Sequence, residues 1–449
     1  MPCWPKRAAL SRPKSMIRKS IQIGLIHAAV AITLVPINST LNRIMIEDLG
    51  ISATLVVLLF SLPYLLSFIQ MAIGSFSDRH PILGYRRSPY ILVGLMLCVA
   101  GLMMAPGVAS RITENFWAGV GLGLVTFGAW GMGFNFATVS YFSLASELSD
   151  ERNRAKVTAI MFFVMIVSII ITAAGMSRML ESFSAQQLQR SFEVVALVMG
   201  ILGLVGLETR LTGENKPRQR VSIRVMVGEV LSNRQVALFF FYLILMLAAL
   251  LGQDVLLEPF AARAFDLSVS LTTRITSIWG VCFLLSLVVA GALEDRFSKV
   301  KVARLAALAA LTSFGLIAIS GLAGTKGLFY TGVVLLGLAT GPATVSNLSL
   351  MLDMTVPGKV GLYIGAWGAA NAFARLVGSF TTAAVRDLAN MLPNNTLGGY
   401  LVAFMLQMLF LAGSLVILRR INVDSFKQQA SNSAYTPSVL ERAAISSDG

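Results

Sequence analysis

Charged and amide side chains interrupt the apolar stretches of this chain at a few places, and these are the residues that could do chemistry. A charge inside a membrane span is costly, so it pairs with another group or serves a ligand, a gate or a proton. The first apolar stretch ends with Asn42 and Arg43, and the seventh ends with Gln253, Asp254 and Glu258. Asp254 and Glu258 are four residues apart, so they share one helical face.

We expect Arg43 to pair with Asp254 or Glu258 across the two halves of the chain. The two stretches are equivalent in a duplicated bundle, so their polar ends should lie at a similar depth near the outer surface. Three interpretations of the group Asn42, Arg43, Gln253, Asp254 and Glu258 stay open: a structural lock, a gate that opens during alternating access, and a site for protons or substrate. The expected depth favours the lock or gate, because a proton relay belongs nearer the middle of the membrane.

Two further positions carry polar groups inside apolar stretches. Arg375 lies deep in the eleventh stretch, with Asn371 one turn earlier, and we interpret both as polar residues of a cavity, with a structural partner favoured over an anionic ligand. His27 lies in the first stretch and is a candidate ligand for the magnesium of a tetrapyrrole, although a lone histidine in a helix more commonly bonds to a neighbouring helix. No spacing typical of metal ligands, phosphate loops or a nucleophile with its base occurs. The sequence therefore predicts no catalytic site, no metal site and no enzyme.

The composition indicates which elements hold these residues. Hydrophobic residues make up 56% of the 449 positions, charged residues only 13%, and the mean hydropathy is +0.75. A helix needs about 20 apolar residues to span a membrane, and helices satisfy their own backbone groups there. Twelve such segments are centred near residues 33, 63, 98, 130, 166, 199, 247, 284, 312, 340, 370 and 408. The chain is therefore predicted to be an all-α integral membrane protein with twelve transmembrane helices.

One short motif occurs twice, at equivalent places in the two halves. It has the form Gly-xxx-Asp-Arg, it follows the second and the eighth segment, and its copies are 217 residues apart. The copies are Gly74, Asp78 and Arg79, and Gly291, Asp295 and Arg296, while Gly84, Arg86 and Arg87 complete the first loop. Repetition in register is typical of transporters built from two parallel repeats. The motif resembles the loop motif of the major facilitator superfamily, so we predict two six-helix pseudo-repeats with that fold and interpret the loops as conformational hinges or latches.

The basic residues predict the orientation and the boundaries. With a cytoplasmic N-terminus, 27 of the 36 Lys and Arg residues lie on the cytoplasmic side, eight on the outer side and one in a span. This asymmetry follows the positive-inside rule with both termini cytoplasmic, and it explains the net charge of +14 by membrane orientation and lipid contact, without nucleic acid. We predict a basic N-tail (1–19), an N-terminal bundle (20–207), a cytoplasmic linker (208–235), a C-terminal bundle (236–420) and a polar, disordered C-tail (421–449).

Three stretches resemble one branch of the superfamily, the bacteriochlorophyll delivery family of the PucC and LhaA type. They run from Asn38 to Glu47, from Ser77 to Ile91 and from Gln253 to Phe260, and the second is longer than the general loop motif. The resemblance extends from about residue 20 to 420. The family residues that it carries onto this chain are Asn42, Arg43, Asp78, Arg86, Arg87, Gln253, Asp254 and Glu258.

The resemblance implies a membrane assembly factor that handles or delivers (bacterio)chlorophyll while light-harvesting or photosystem complexes are built. It implies a cytoplasmic or photosynthetic membrane (thylakoid or intracytoplasmic) of a photosynthetic bacterium, a tetrapyrrole as transient cargo with no covalent cofactor, and antenna or photosystem subunits as partners. The fourth and fifth segments lack the arginine and the Gly-Pro pattern of proton-coupled transporters and antiporters in this superfamily. Two alternatives stay open: a secondary transporter of a small amphipathic solute such as a pterin or folate, and a transport-dead scaffold that binds proteins only.

Overall fold

The computed structural model describes residues 13–82, 85, 87–147, 154–207, 223–355, 360–391 and 397–422. These residues are almost entirely helical, as predicted, and they contain an isolated bridge between Ile82 and Tyr85 but no strand. The helices are α1 (Pro13–Ala31), α2 (Ala53–Phe60), α3 (Leu62–Leu65), α4 (Ile69–Arg79), α5 (Ser88–Glu114), α6 (Phe116–Glu147), α7 (Arg154–Met179), α8 (Ala185–Gly206), α9 (Ile223–Ser232), α10 (Arg234–Gly252), α11 (Leu257–Phe265), α12 (Val269–Arg296), α13 (Lys299–Ala323), α14 (Lys326–Asp353), α15 (Val360–Asn390) and α16 (Gly398–Leu418).

Ten helical segments among the described residues are long and apolar enough to cross a membrane. They are Arg18–Asp48, Ser88–Glu114, Phe116–Ala145, Lys156–Met179, Ala185–Gly206, Arg234–Val255, Val269–Arg296, Lys299–Ala323, Lys326–Asp353 and Gly398–Leu418. The predicted integral membrane protein is therefore confirmed. The total of twelve spans and the cytoplasmic position of both termini stay predictions.

The two other predicted spans differ from these ten for physical reasons. The second is divided into α2, α3 and α4. A 3-10 turn over Leu66–Phe68 separates α3 from α4, and helices α2 and α3 are separated at Ser61–Pro63, where Pro63 has no N–H to continue the helical ladder. The amide of Asn135 donates to the carbonyl of Pro63 at 3.0 Å and so stabilises this break. The eleventh corresponds to α15, a helix of 31 residues whose mean hydropathy is lowered by Asn371 and Arg375.

The chain divides into two compact units, the first comprising residues 1–216 and 257–281 and the second residues 217–256 and 282–449. Residues 257–281 cluster with the first unit because they contact the first span and α7, as detailed below. Helix α12 contributes its first part, as far as Val281, to the first unit and its remainder to the second. The predicted linker 208–235 lies outside the described residues as far as position 222 and then includes α9. Of the predicted tails, the described parts are 13–19, where α1 begins, and 421–422.

The same packing pattern occurs inside each unit. In the first unit α1 packs on α7 and α8, and α5 packs on α6 and α8. In the second unit α10 packs on α15 and α16, and α13 packs on α14 and α16. These helices are equivalent in chain order, so the internal packing of each unit agrees with the duplication that the repeated motif predicts.

Small residues permit these close contacts between helices. A Cβ on Gly133 of α6 would lie 2.7 Å from the backbone nitrogen of Cys98 in α5. A Cβ on Gly332 of α14 would lie 2.6 Å from a side-chain carbon of Ile317 in α13. Because lipid provides no hydrophobic force between helices, such close packing is the main source of their association.

Candidate functional site

The first span changes its helical form where its polar residues begin. After α1 the chain forms π-type turns over Val35–Leu41 and Ile44–Asp48. Pro36 lies in the first of these turns and cannot donate a backbone hydrogen bond. Such wide turns are frequent at functional sites because they re-aim side chains. Asn42 and Arg43 lie between the two turns and are both buried.

Hydroxyl groups join this part of the first span to residues 257–281. Oγ1 of Thr40 lies 3.0 Å from Oγ1 of Thr273. The hydroxyl of Thr276 donates to Oε1 of Glu258 at 2.8 Å and lies 3.1 Å from Oγ of Ser39. We call these five residues, Ser39, Thr40, Glu258, Thr273 and Thr276, the hydroxyl cluster. All of its members lie in the first unit, and four of them are buried polar residues.

Ionic contacts reinforce the hydroxyl cluster. Nε of Arg263 lies 2.6 Å from Oε2 of Glu47, whose side chain is buried. Nη2 of Arg43 donates to the carbonyl of Leu267 at 3.3 Å, and Nη1 of Arg43 pairs with Asp48. The polar end of the first span therefore contacts α11 at Arg263 and the chain just after α11 at Leu267.

The partners of Arg43 and Asp254 differ from the pair that we expected. Arg43 pairs with Asp48, five residues later in the same span, and Asp254 pairs with Arg375. Glu258, the other expected partner, accepts from Thr276. These two partners were not predicted, because charges were paired by their equivalent places in the first and seventh spans, whereas each charge has a partner within its own unit. A lock or gate that includes Arg43 stays a prediction.

Asp254 and Arg375 form a polar site of their own in the second unit. Asp254 lies in the single 3-10 turn, Gln253–Val255, that follows α10. Its Oδ2 accepts from Nη1 of Arg375 at 2.7 Å, and its Oδ1 accepts from Nε2 of the buried Gln253 at 2.8 Å. Asn371, one turn before Arg375, donates to the carbonyl of Trp367 at 2.8 Å. Two residues that the sequence singled out separately, Asp254 and Arg375, are thus brought together.

His27 lies in an aromatic environment. Its ring centroid is 4.9 Å from that of Tyr141, 5.6 Å from that of Phe142 and 5.0 Å from that of Phe162. Its buried Nδ1 has no hydrogen-bond partner among the described residues, so the helix–helix bond that a lone histidine commonly makes is absent at that atom. Ring separations of this size are those of direct aromatic packing. The described residues also hold no group of three or more His, Cys, Asp or Glu that could bind a metal ion.

The two loop motifs lie at equivalent helix ends. Gly74, Asp78 and Arg79 are in α4, with Arg79 as its last residue, and Gly291, Asp295 and Arg296 are in α12, with Arg296 as its last residue. Arg87 is buried and donates to the hydroxyl of Ser77 at 2.7 Å, which ties the start of α5 to α4. Asp295 and Arg296 are exposed. Gly84 and Arg86 lie outside the described residues, and the role of both loops as latches stays a prediction.

The hydroxyl residues of the site were not predicted from the sequence. Five hydroxyl side chains begin α12, and this clustering at the start of an otherwise apolar span was the available signal; they are Ser270, Thr272, Thr273, Thr276 and Ser277. Besides the contacts already given, Ser270 lies 3.3 Å from Ser177, and Ser277 donates to the carbonyl of Ile170. Serine and threonine are common in spans, so their types alone did not distinguish them.

Comparison with solved structures identifies the fold. A nucleoside transporter, NupG (D323A mutant), superposes with a TM-score of 0.71 and 14% identity, covering 90% of this chain and 99% of the other. A D-xylose–proton symporter superposes with a TM-score of 0.67 and 14% identity, covering 89% and 96%. Identities this low establish the fold alone, and it is the predicted fold of major facilitator transporters.

Comparison with protein sequences identifies the family. Protein PucC of Cereibacter sphaeroides is 28% identical over 401 residues, covering 86% of both chains. Two proteins of Rhodobacter capsulatus are similar: an uncharacterized protein in the puhA-bchM intergenic region, 27% identical with 83% and 80% covered, and a protein named bacteriochlorophyll synthase 44.5 kDa chain, 28% identical with 84% and 90% covered. The model of the PUCC protein family matches residues 40–426. This chain therefore belongs to the PUCC protein family, as a photosynthesis-related integral membrane protein on a transporter-like fold.

Proposed function

We propose that this chain is a non-enzymatic assembly factor that handles or delivers (bacterio)chlorophyll while light-harvesting or photosystem complexes are built. The observation that carries the proposal is the family match over residues 40–426, on a fold that transporters use to move solutes. One of the similar proteins is named for bacteriochlorophyll synthesis. Delivery of a membrane-embedded pigment requires a scaffold that is itself embedded, and the ten long apolar helices among the described residues meet that requirement.

The ionic groups in and beside the spans support an amphipathic cargo. Arg43 with Asp48, Glu47 with Arg263, and Asp254 with Arg375 are each compensated by a partner in the same unit. Compensated charges lower the cost of polar groups at membrane depth. Within each unit, charges compensated in this way can lie against a largely apolar molecule that carries a few polar substituents.

We assign a gating role to the polar group predicted from the sequence, Asn42, Arg43, Gln253, Asp254 and Glu258. The support is that residues 257–281 are held on the first span by directional hydroxyl and ionic contacts. Directional polar contacts can break and re-form as a set, which suits a two-state element. The outer position of this gate rests on the predicted orientation.

The second candidate function is a secondary transporter of a small amphipathic solute such as a pterin or folate. The observation in its favour is the Asp254–Arg375 pair, because paired ionisable residues inside spans often mark substrate or ion pathways. It predicts solute flux into vesicles that Asp254→Asn or Arg375→Gln abolishes. The assembly factor predicts no such flux.

The experiment that tests the proposal is purification of the tagged protein from its native host in mild detergent. We expect a tetrapyrrole absorption band in stoichiometric amount, together with light-harvesting or photosystem polypeptides. A colourless protein without these subunits, prepared from pigment-rich membranes, contradicts the proposal and favours the solute carrier. Subunits without pigment indicate the third reading, a scaffold that binds proteins only.

A further inference from the structure

Three side chains of α15 form a polar and aromatic stripe. Trp367, Asn371 and Arg375 follow one another at intervals of four residues, so they lie on one face of the helix. Each is partly accessible, between the buried and exposed extremes. The indole Nε1 of Trp367 is buried and has no hydrogen-bond partner among the described residues. An unpaired donor of this kind is unusual inside a span, where unpaired polar groups are costly.

The ion pair at one end of this stripe is open to exchange. The side chains of Arg375 and Asp254 are 22% and 31% exposed, whereas that of Glu47, in the first unit, is 5% exposed. A ligand can therefore reach the pair. Asp254 binds Arg375 through Oδ2 alone, because its Oδ1 accepts from Gln253. A carboxylate on that ligand can replace this oxygen and present both of its own oxygens to the guanidinium, the bidentate geometry that arginine favours.

If a ligand displaces Asp254 from Arg375, the carboxylate of Asp254 still accepts a hydrogen bond from a second donor. Nε2 of Gln253 donates to Oδ1 of Asp254 at 2.8 Å, and this bond does not involve Arg375. Oε1 of Gln253 is buried and unpartnered in the described part of the chain, so the amide can accept a further hydrogen bond. The turn at Gln253–Val255 thus supplies a competitor carboxylate that keeps one hydrogen bond when a ligand displaces it from Arg375.

We propose that Arg375, Asn371 and Trp367 bind a tetrapyrrole that carries a free propionate carboxylate, the unesterified form of the pigment, with the carboxylate replacing Asp254 on Arg375. The flat macrocycle packs against the partly accessible indole of Trp367, whose ring provides apolar contact. This inference rests on the proposed function and adds a preference within it, for the free acid over the esterified pigment. A pteridine with a carboxylate shares the anionic chemistry, so the experiment includes one.

The test is equilibrium binding to the full chain in nanodiscs at neutral pH, with empty nanodiscs as the blank. The probes are pheophorbide a, its methyl ester and folate. Pheophorbide lacks magnesium, so its binding does not depend on an axial ligand. We expect the free acid to bind about tenfold more tightly than the ester. Only the acid can form hydrogen bonds between a charged carboxylate and Arg375, and such bonds contribute a difference in affinity of this order. We expect folate to bind at least tenfold more weakly than pheophorbide a, because it offers less apolar area to the indole.

Variants identify the residues responsible. Arg375→Gln should remove the difference between acid and ester, Arg375→Lys should retain part of it, and Asp254→Asn should strengthen binding of the acid several-fold and leave the ester unchanged. Asp254→Asn keeps both the shape of the site and Arg375, so it tests the inference even if Arg375→Gln fails to fold. Arg111→Gln, the same change at an exposed arginine, is the matched control and should change nothing.

The outcomes separate this inference from the proposed function. Equal binding of acid and ester by the unaltered protein, or an unchanged acid affinity in Asp254→Asn, overturns the carboxylate site and leaves pigment handling standing. Binding of neither tetrapyrrole overturns both. Folate binding tighter than that of pheophorbide a overturns the inference in favour of the solute carrier.

Discussion

Nη1 of Arg375, at the middle of α15, donates a hydrogen bond to Oδ2 of Asp254 in the turn after α10, with 2.7 Å between the two atoms. The pair links two helices whose backbones pass very close to each other. Gly378, three residues after Arg375, faces the backbone of Ala248, and Gly252 faces the backbone of Gly378. The distance between the two ionic groups is therefore set by glycines on both helices.

Gly378→Ala should destabilise the second unit. A Cβ at this position overlaps the backbone carbonyl of Ala248, which cannot move aside as a flexible side chain would. We expect a loss of about 1–3 kcal/mol in the free energy of unfolding, together with a weakened Arg375–Asp254 pair. The measurement is the thermal unfolding midpoint in detergent. Gly368→Ala, in the same helix with open space around its Cβ position, is the matched control and should be neutral or slightly stabilising.

Thr276→Val should weaken the hydroxyl cluster. The change preserves the shape of the side chain and removes the hydroxyl that donates to the buried Glu258. We expect the free energy of unfolding to fall by about 1–3 kcal/mol, the cost of taking one hydrogen bond from a buried polar group. Thr276→Ser should lie close to the unaltered protein. Thr312→Val, at an exposed threonine of α13, controls for the change of residue type. Equal midpoints for the two valine variants would show that the cluster does not stabilise the protein.

A disulfide between positions 40 and 273 should test whether residues 257–281 move. The Oγ1 atoms of Thr40 and Thr273 are 3.0 Å apart, so cysteines at both positions should form a bond on oxidation. If the hydroxyl cluster opens as a gate, the cross-linked protein should lose pigment transfer at least tenfold and regain it on reduction. The background should lack Cys3, Cys98 and Cys282, and each single cysteine variant is a control. Full transfer by the cross-linked protein would leave the cluster with a structural role only.

His27→Phe should leave the pigment spectrum unchanged. Tyr141, Phe142 and Phe162 already pack directly around the imidazole, which leaves no gap for a macrocycle on those faces. A phenylalanine fits such an aromatic environment and removes the nitrogen. The check is the absorption spectrum and pigment content of the purified variant at equal thermal stability. Loss of a magnesium tetrapyrrole, with a magnesium-free analogue still bound, would instead identify His27 as an axial ligand.

The membrane-spanning helices were largely predictable, because hydropathy and internal repeats can be read from the amino-acid sequence alone. The break at Pro63 was not predicted, because the apolar run continues through it. The contact that stabilises the break, from Asn135 to the carbonyl of Pro63, is visible only in the structure. Proline is tolerated in a span when a neighbouring helix satisfies the interrupted backbone, so its presence alone did not exclude a single helix.

Side-chain pairing was much less predictable than the spans. Arg43, Asp254 and Arg375 were all singled out as costly charges, yet the sequence did not show that Arg43 pairs with Asp48 or that Asp254 pairs with Arg375. Pairing depends on rotation about each helix axis and on local breaks such as Gln253–Val255, and these are fixed by packing with other helices. The hydroxyl residues were missed for a related reason, because many serines and threonines bond to their own helix, as Thr272 does to Val269.

The most direct test of the central claim is transfer of pigment by the purified protein. Liposomes containing the protein, loaded with the pigment of its native host, would be mixed with freshly synthesised antenna polypeptides lacking pigment. We predict that the absorption band of the assembled antenna complex appears several-fold faster than with free pigment in protein-free liposomes. A protein that binds no pigment, or pigment that reaches the polypeptides equally fast without it, would contradict the account.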